Sequence, residues 1–250
     1  MEILAETFWI QKAGCSEEEY EDAASTTSEA PAPLHGFRAA IADGATDSSF
    51  SGRWAQLLTR KFVEVDRSVD DLESLLPEIQ DLWASEVDQR ALPWYAAEKA
   101  TMGAFSSLLG VAFQATEDGR EGWRAVAVGD SCLVQVRRNE LVVARFPISE
   151  SSHFTASPFL IASRPGRNVS IGDHVRLTEG DVQPEDTFYL MTDALACWFI
   201  SDEEDGRTPW SILKDLHTAD GEIFPALVAR LRAESALKND DCTLVRIDVH

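Results

Sequence analysis

Apolar side chains recur every three or four positions in several stretches of the chain, as they do in helices with one buried face. Trp54, Leu58 and Phe62 set this spacing in the first stretch, and Pro93 marks the start of a later one. The pattern predicts helices over residues 51–65, 70–87, 95–105, 195–200 and 223–231.

Elsewhere the period is shorter, and strand-like runs end at turn residues such as Gly129-Asp130 and Arg138-Asn139. Four such runs follow one another closely between residues 106 and 146, so we expect them to form one antiparallel meander. The predicted strands cover residues 3–10, 36–42, 106–115, 122–129, 131–137, 140–146, 187–191 and 243–249.

Two segments show neither period. Residues 17–33 are rich in Glu, Ser, Thr, Ala and Pro, which predicts a loop between two strands. Residues 147–185 are rich in Ser, Pro, Gly and Arg, which predicts an irregular insertion or flap near a functional face. Because helices bracket two strand-rich blocks, the order of elements favours an α+β sandwich over a parallel βαβ sheet.

The charge balance narrows the choice of partners. The 250 residues include 43 acidic and 22 basic side chains, which gives a formal net charge of −21. Proteins that bind nucleic acids or anionic membrane surfaces carry local excesses of Lys and Arg. The basic residues of this chain are scattered, so we expect neither partner. The longest nearly apolar stretch, residues 188–200, is too short to span a membrane and contains Asp193. Glu2 and Glu6 stand where a secretory signal carries basic residues, so we expect a cytoplasmic protein.

The cysteines and tryptophans point to packing rather than chemistry. The four cysteines lie far apart without CxxC spacing, which argues against zinc binding and a disulfide scaffold and favours reduced, buried thiols. We expect the tryptophans to pack in the core rather than to form a ligand platform. This expectation applies to Trp54, Trp83, Trp94, Trp123, Trp198 and Trp210.

Carboxylates at the ends of apolar segments carry the strongest chemical signal. Asp43, Asp130 and Asp193 each follow a predicted strand, and Asp240 with Asp241 precedes the last one. An ionised carboxylate at such a position is costly to desolvate unless a cation or a donor compensates it. Each aspartate alone is more often a turn or helix-cap residue. Together they predict a site for Mg²⁺ or Mn²⁺, which prefer oxygen ligands.

The order of these residues resembles the metal-dependent type-2C (PPM) protein phosphatase family, particularly its compact bacterial members. Each motif alone is weak, but five in the family's order cover nearly the whole chain. The matching segments are Glu21-Asp22-Ala23, Ile41-Ala42-Asp43-Gly44, Val128-Gly129-Asp130-Ser131, Thr192-Asp193-Ala194-Leu195 and Asp240-Asp241-Cys242-Thr243.

This resemblance implies one domain over residues 1–250, built as a four-layer α/β/β/α sandwich with two central antiparallel β-sheets. It also implies a binuclear metal centre with two Mn²⁺ or Mg²⁺ ions. Asp43 would bind both ions, Glu21 and the Gly44 carbonyl one of them, and Asp193 and Asp240 the other. Asp22 would bind an ion directly or hold metal-bound water from the next layer, and Asp130 would help to hold a weaker third ion.

The implied activity is that of a metal-dependent phosphoric monoester hydrolase, a protein serine/threonine phosphatase with a metal-activated water and with Asp43, Asp193 and Asp240 as catalytic residues. The substrate would be a phosphorylated protein or a small phosphoester, and we expect a monomer. The alternatives are a non-catalytic phosphatase-like interaction module with an acidic or metal-occupied site, and carboxylates that only cap turns.

Some family positions differ in this chain. Glu17 stands where many members carry a phosphate-binding Arg, and the turn after Gly44 lacks the family's histidine. The phosphate-binding residue and the general acid are therefore unassigned. Cys197 stands where some members have another metal-binding Asp, so we expect a weak or missing third metal site. Lys12, Arg38 and Arg53 are the basic residues nearby in sequence, and imidazole is a common acid–base group, which makes His35, His153, His174 and His217 candidates. Ordinary surface or structural roles are favoured for all seven.

Overall fold

The computed structural model describes the chain except for residues 47, 49, 66, 89–101, 117, 118 and 156, and at residues 88 and 141 it describes the backbone alone. The helices of the described part are α1 (Ser51–Glu64), α2 (Leu72–Asp88), α3 (Asp193–Glu204), α4 (Pro209–Lys214) and α5 (Ile223–Ala233). The strands are β1 (Glu2–Ile10), β2 (Ala23–Thr26), β3 (Ala32–Pro33), β4 (Arg38–Ala42), β5 (Phe105–Ser106), β6 (Leu108–Ala115), β7 (Glu121–Val128), β8 (Cys132–Arg137), β9 (Leu141–Phe146), β10 (Ile161–Ala162), β11 (Arg176–Asp181), β12 (Asp186–Met191) and β13 (Cys242–Val249).

Two antiparallel sheets form the centre of the molecule. The first has six strands in the order β3-β1-β13-β12-β8-β9, and the second has five in the order β11-β7-β6-β4-β2. A short pair, β10-β5, adjoins them. Apolar side chains from facing strands of the two sheets fill the space between them, among them Ile41, Val111, Phe113, Phe188 and Ile247.

Helices cover the outer face of each sheet. In α1 the residues Trp54, Leu58 and Phe62 form one buried face and pack, together with α2, on the five-stranded sheet. Helices α3, α4 and α5 pack on the six-stranded sheet through residues such as Phe199 and Val228. The predicted α+β class and the four-layer α/β/β/α sandwich with two central antiparallel β-sheets are confirmed.

The predicted meander is wrong. Strands β6 and β7 pair in the five-stranded sheet, whereas β8 and β9 pair in the six-stranded sheet. The chain crosses between the sheets at Gly129, whose φ of +102° is open to glycine without a steric penalty. A period-2 pattern identifies strands but does not distinguish a hairpin within one sheet from a crossing between two sheets that are both largely buried.

The two segments predicted as irregular contain regular structure. Strand β2 forms within residues 17–33 and pairs with β4, because its small side chains fit beneath α1, where Ser25 donates a hydrogen bond to Thr59. Strand β11 forms within residues 147–185 and extends the five-stranded sheet by pairing with β7.

Some of the remaining helix and core predictions concern residues that the structure describes, and others concern residues outside the described part. Most of the helix predicted over 95–105 lies outside the described residues, and its last position belongs to β5. Trp94 also lies outside them. The other tryptophans predicted in the core are buried, namely Trp54, Trp83, Trp123, Trp198 and Trp210. In the described part of the chain, no helix is long and apolar enough to cross a bilayer.

Candidate metal centre

The six-stranded sheet brings three of the predicted aspartates to one of its ends. Strand β12 pairs with β13 on one side and with β8 on the other, with Met191 opposite both Leu244 and Cys132. The pairs are antiparallel, so the end of β12 lies beside the starts of β13 and β8. Asp193, which follows β12, is therefore placed beside Asp240, which precedes β13, and Asp130, which precedes β8.

The five-stranded sheet contributes two more carboxylates. Ala23 at the start of β2 is paired with Ala42 at the end of β4, which places Asp22 and Asp43 side by side. The two sheets present these residues to the same site: besides burial, the charges of Asp22, Asp193 and Asp240 raise the pKa of Asp43. We call Asp22, Asp43, Asp130, Asp193 and Asp240 the acidic cluster.

Asp43 interacts electrostatically with every other member of the acidic cluster. Burial is the largest cause of its raised pKa, followed by the charges of Asp22, Asp193, Asp130 and Asp240. Its backbone is fixed by the neighbouring strand, since its N–H donates to Ser107 Oγ at 3.0 Å and its carbonyl accepts from Ser107 N at 2.9 Å. That Asp43 binds both ions stays a prediction.

Asp22 is the most deeply buried carboxylate of the cluster, with 3% of its surface exposed. The Thr243 hydroxyl donates to Asp22 Oδ2 at 2.7 Å, and Tyr20 in turn hydrogen-bonds to the Thr243 hydroxyl. Burial raises the pKa of Asp22 well above its usual value, although the Thr243 and Thr192 hydroxyls counteract this. Asp22 Oδ1 is buried without a hydrogen-bond partner, so this carboxylate is only partly compensated by the described residues.

Glu21 and Gly44 lie together at the start of α1. The Ser51 hydroxyl donates to Glu21 Oε1, and Thr46 also hydrogen-bonds to this carboxylate. A Cβ at Gly44 would lie 2.6 Å from the Glu21 carbonyl oxygen and 2.8 Å from the Ser51 carbonyl carbon, so only glycine fits there. Glu21 is bound by hydroxyl groups at the rim of the cluster, and no described residue donates a hydrogen bond to the Gly44 carbonyl.

Asp241 fixes the backbone around the cluster. Its Oδ1 accepts the Lys12 N–H and its Oδ2 accepts the Glu21 N–H, both at 2.8 Å. Asp241 thereby ties the end of β1 and the segment before β2 to the start of β13. The adjacent residue, Asp240, belongs to the acidic cluster itself.

Asp193 and Asp240 share a cation that the sequence did not indicate. Lys238 Nζ lies 2.7 Å from Asp240 Oδ2 and 3.6 Å from Asp193 Oδ2. The hydrogen bond with Asp240 and the charge of Asp193 raise the pKa of Lys238. The pKa of Asp193 is also raised, by burial and by Asp240, while Lys238 opposes the rise. This ammonium group partly neutralises the two carboxylates.

Asp130 lies on the turn where the chain crosses between the sheets. Burial, followed by the charge of Asp193, raises its pKa to about 7. Ser131 and Ser107 are joined by a hydrogen bond of 2.8 Å, and a Cβ at Gly129 would lie 2.6 Å from the Ser107 Cβ. The tight approach of these strands holds Asp130 beside the cluster.

The donor chemistry of the cluster fits a hard divalent cation. Its side chains offer oxygen donors, and the buried Asp22 Oδ1 without a partner is the kind of atom that a bound cation would satisfy. As the described side chains are arranged, no three acidic, His or Cys groups are placed to hold one ion. Asp193 and Asp240 converge on Lys238 instead.

The basic residues that the sequence analysis names as candidates contact residues outside the acidic cluster or lie at its rim. Arg53 pairs with Glu86 at 2.6 Å, and Arg38 donates to the carbonyls of Phe62 and Arg67. Burial raises the pKa of Glu21 and the charge of Lys12 opposes this rise, so Lys12 lies near Glu21 at the rim. Each of the four candidate histidines contacts a residue outside the acidic cluster. Three lie beside glutamates, in the pairs His35–Glu121, His153–Glu150 and His217–Glu6, and the His174 ring stacks on Phe159.

The residues missed by sequence reasoning are those that hold the carboxylates. Thr192 and Thr243 lie within recognised motifs, but their hydroxyl contacts to Asp22 depend on the pairing of distant strands. Lys238 had no local signal, because one lysine near a turn resembles any other surface charge. Its role follows only from the three-dimensional proximity of Asp193 and Asp240.

Comparisons with known proteins concern the family and the fold of the chain. A family model described as Protein phosphatase 2C matches residues 16–238. Among curated proteins, none matches the chain. Among solved structures, the serine/threonine phosphatase PstP/Ppp of Mycobacterium tuberculosis is 17% identical with a TM-score of 0.62, and the alignment covers 100% of both chains.

Two further solved structures are similar over nearly their full length. The catalytic domain of the phosphatase PstP in complex with two manganese ions is 16% identical with a TM-score of 0.61, covering 99% of this chain and 98% of that one. The PPM Ser-Thr phosphatase MsPP from Mycobacterium smegmatis, in complex with cacodylate, is 17% identical with a TM-score of 0.54, covering 98% of each chain. At these identities the similarity concerns the fold.

Proposed function

Because the chain belongs to the protein phosphatase 2C family, we propose that it is a metal-dependent phosphoric monoester hydrolase acting on phosphoserine or phosphothreonine in proteins. One observation supports this most directly. The ends of strands from both sheets bring the acidic cluster together, and the cluster includes a buried carboxylate oxygen, Asp22 Oδ1, without a partner. Turn-capping aspartates would have no reason to converge in this way.

The proposed ligands divide into two groups. Glu21 and the Gly44 carbonyl would hold one ion with Asp43, and Asp193 and Asp240 would hold a second ion with Asp43. Asp130 would contribute to a weaker third position. Mn²⁺ and Mg²⁺ suit this set because they prefer carboxylate and carbonyl oxygens.

Hydrolysis of phosphate monoesters is among the slowest uncatalysed reactions that enzymes accelerate, by factors of up to about 10²¹. A pair of bound divalent ions would supply an acidified water nucleophile and positive charge for the phosphoryl oxygens. The protein must then orient that water and hold its ligands in place. Asp22 Oδ1 is available to accept a hydrogen bond from the attacking water, while Thr243 holds the other oxygen of the same carboxylate.

The surface charge bears on the substrate. A net charge of −21 repels acidic phosphoproteins at long range, so a phosphorylated segment with basic neighbours would approach more readily. The short-range attraction for the phosphate would come from cations in the cluster.

The test is hydrolysis of an aryl phosphate and of matched phosphoserine, phosphothreonine and phosphotyrosine peptides by EDTA-treated protein with added Mn²⁺ or Mg²⁺. We expect turnover only with a divalent ion and a preference for the serine and threonine peptides, with a basic peptide hydrolysed faster than an acidic one. Folded protein that hydrolyses none of these over a wide range of metal concentrations would contradict the proposal.

The same experiment separates the main alternative. Tight Mn²⁺ binding that raises the melting temperature without hydrolysis of any phosphoester would identify a non-catalytic interaction module. Absence of Mn²⁺ and Mg²⁺ uptake by calorimetry would leave the carboxylates with only a structural role.

A further inference from the structure

The acidic cluster has two sides that differ in what neutralises them. On the hydroxyl side, Asp22 and Glu21 are both held by neutral hydroxyl groups. On the lysine side, Asp193 and Asp240 share the ammonium group of Lys238. Asp43 lies between the two sides, since its pKa is raised by carboxylates of both.

The carboxylate oxygens of the lysine side point in two directions. Asp193 Oδ1 accepts the Ala194 N–H at 2.5 Å, and Asp240 Oδ1 accepts the Asp241 N–H at 3.2 Å. Their other oxygens, both Oδ2, face Lys238 Nζ. The lysine therefore lies at the oxygen atoms that a divalent ion on this side would need.

We propose that Lys238 is a built-in competitor for the divalent ion on the lysine side, and that an ion binding Asp193 and Asp240 displaces its ammonium group. This inference rests on the proposed function only in that the acidic cluster binds divalent ions. An ammonium group and a dication repel each other, and two carboxylate oxygens cannot coordinate an ion closely while they also bind the lysine. Ion binding on this side is therefore weaker than it would be without Lys238.

The local structure allows the side chain to move without the backbone. The Lys238 side chain is 67% exposed, so it can turn into solvent. Its neighbours on the chain are fixed, because Leu237 is buried and Asn239 exchanges hydrogen bonds with the backbone of Ala13. Displacement then needs only rotation of a long, flexible side chain.

The hydroxyl side has no equivalent competitor. None of the ion pairs between described residues involves Asp22 or Asp43, and the groups that hold Asp22 are uncharged hydroxyls. A divalent ion on this side would bind without displacing a cation. The first ion should therefore bind on the hydroxyl side, and the second on the lysine side with lower affinity.

The experiment is calorimetric titration of EDTA-treated protein with Mn²⁺, which does not depend on turnover. We compare the wild type with Lys238→Met, which removes the charge and keeps the length of the side chain, and with Lys238→Arg, which keeps the charge. Lys12→Met serves as the matched control, because Lys12 influences Glu21 at the rim but forms no ion pair with the acidic cluster.

We expect the weaker binding step to strengthen by roughly tenfold in Lys238→Met, with the stronger step nearly unchanged. Lys238→Arg should behave like the wild type, and Lys12→Met should change the weaker step by less than about threefold. Lys238→Gln provides a second neutral variant if Lys238→Met does not fold.

Two results would overturn the inference. If the wild type binds Mn²⁺ and the folded neutral variants bind it no more tightly, the inference fails while the proposed function stands. If neither the wild type nor the neutral variants take up Mn²⁺, both fail. A wild type that binds one ion and a neutral variant that binds two would support the inference.

Discussion

The hydroxyl side and the lysine side of the acidic cluster both contain carboxylates that are largely removed from water, but different groups compensate their negative charge on each side. Neutral hydroxyls stabilise Asp22 but leave Oδ1 buried without a partner. An exposed ammonium group partly neutralises Asp193 and Asp240 near the solvent. On the hydroxyl side only a bound cation or a proton would offset the remaining charge, whereas on the lysine side the ammonium group already offsets part of the charge before an ion binds.

The comparison predicts that Asp43, which lies between the two sides, is the most sensitive position. Asp43→Asn removes a charge that both proposed ions would share, so we expect loss of both Mn²⁺ binding steps and a fall in turnover of about a thousandfold or more. Asp193→Asn should abolish the weaker step, retain the stronger one and also lower turnover by orders of magnitude. Calorimetry and hydrolysis of an aryl phosphate measure both effects.

Asp43→Asn and Asp193→Asn serve as controls for each other, since both variants exchange a carboxylate for an amide of the same size. A retained pair of binding steps in Asp43→Asn would show that the two sides bind ions independently. Equal losses in the two variants would show that the sides do not differ.

Asp130 provides a test of electrostatic repulsion in the protein without ions. Burial and Asp193 raise its pKa from 3.8 to about 7, so the folded state binds a proton more readily than the unfolded state. Ionisation therefore destabilises the fold. The destabilisation is absent below about pH 4, grows as the pH rises, and is complete above about pH 7.

Asp130→Asn cannot ionise and should escape this penalty. In EDTA we expect its free energy of unfolding, relative to the wild type, to rise between pH 4 and pH 8 by on the order of 2–4 kcal/mol. Denaturant unfolding at several pH values measures it. Asp181→Asn is the control: burial opposes the shift, but Gln183 and Arg137 lower the pKa of Asp181. The stability that its ionisation contributes is lost only below about pH 4, so the difference for Asp181→Asn should change little between pH 4 and pH 8. A flat profile for Asp130→Asn would contradict the assignment.

The sequence was informative where chemistry coincides with strand ends. Asp43, Asp193 and Asp240 could be predicted because each interrupts or borders an apolar run, and the structure brings them together. The role of Lys238 could not be predicted, because Lys238 is 45 positions from Asp193 and approaches it only through the pairing of β12 with β13. The split of the central strands between two sheets was missed for a related reason: local periodicity carries no information about which sheet a strand joins.

The Thr243 hydroxyl tests how far the hydroxyl side depends on neutral groups. Thr243→Val keeps the shape of the side chain but removes the donor to Asp22 Oδ2 and the partner of Tyr20. We expect a loss of about 1–2 kcal/mol in the free energy of unfolding and a weakening of the stronger Mn²⁺ step by about tenfold.

Thr218→Val is the control for that change. The Thr218 hydroxyl also donates a hydrogen bond to a carboxylate, that of Glu6, but at an exposed position. Its loss should be smaller, and its Mn²⁺ binding should equal that of the wild type. If the two valine variants behaved alike, the hydroxyl contact to Asp22 would have no special importance for the cluster.

Arg53 should give the smallest effect, and it tests whether Lys238 is the basic residue that matters. Arg53 lies on α1, two residues after Ser51, whose hydroxyl contacts Glu21, but its guanidinium is held by Glu86 on α2. Both partners are about one-third exposed, and such pairs contribute about 0.2–1 kcal/mol. Arg53→Gln should therefore change stability by less than about 1 kcal/mol and leave both Mn²⁺ steps and the KM for phosphopeptide within about twofold. A large rise in KM with unchanged Mn²⁺ binding would instead assign the substrate phosphate to Arg53, and the phosphate would then approach from the α1 side of the cluster rather than from the lysine side.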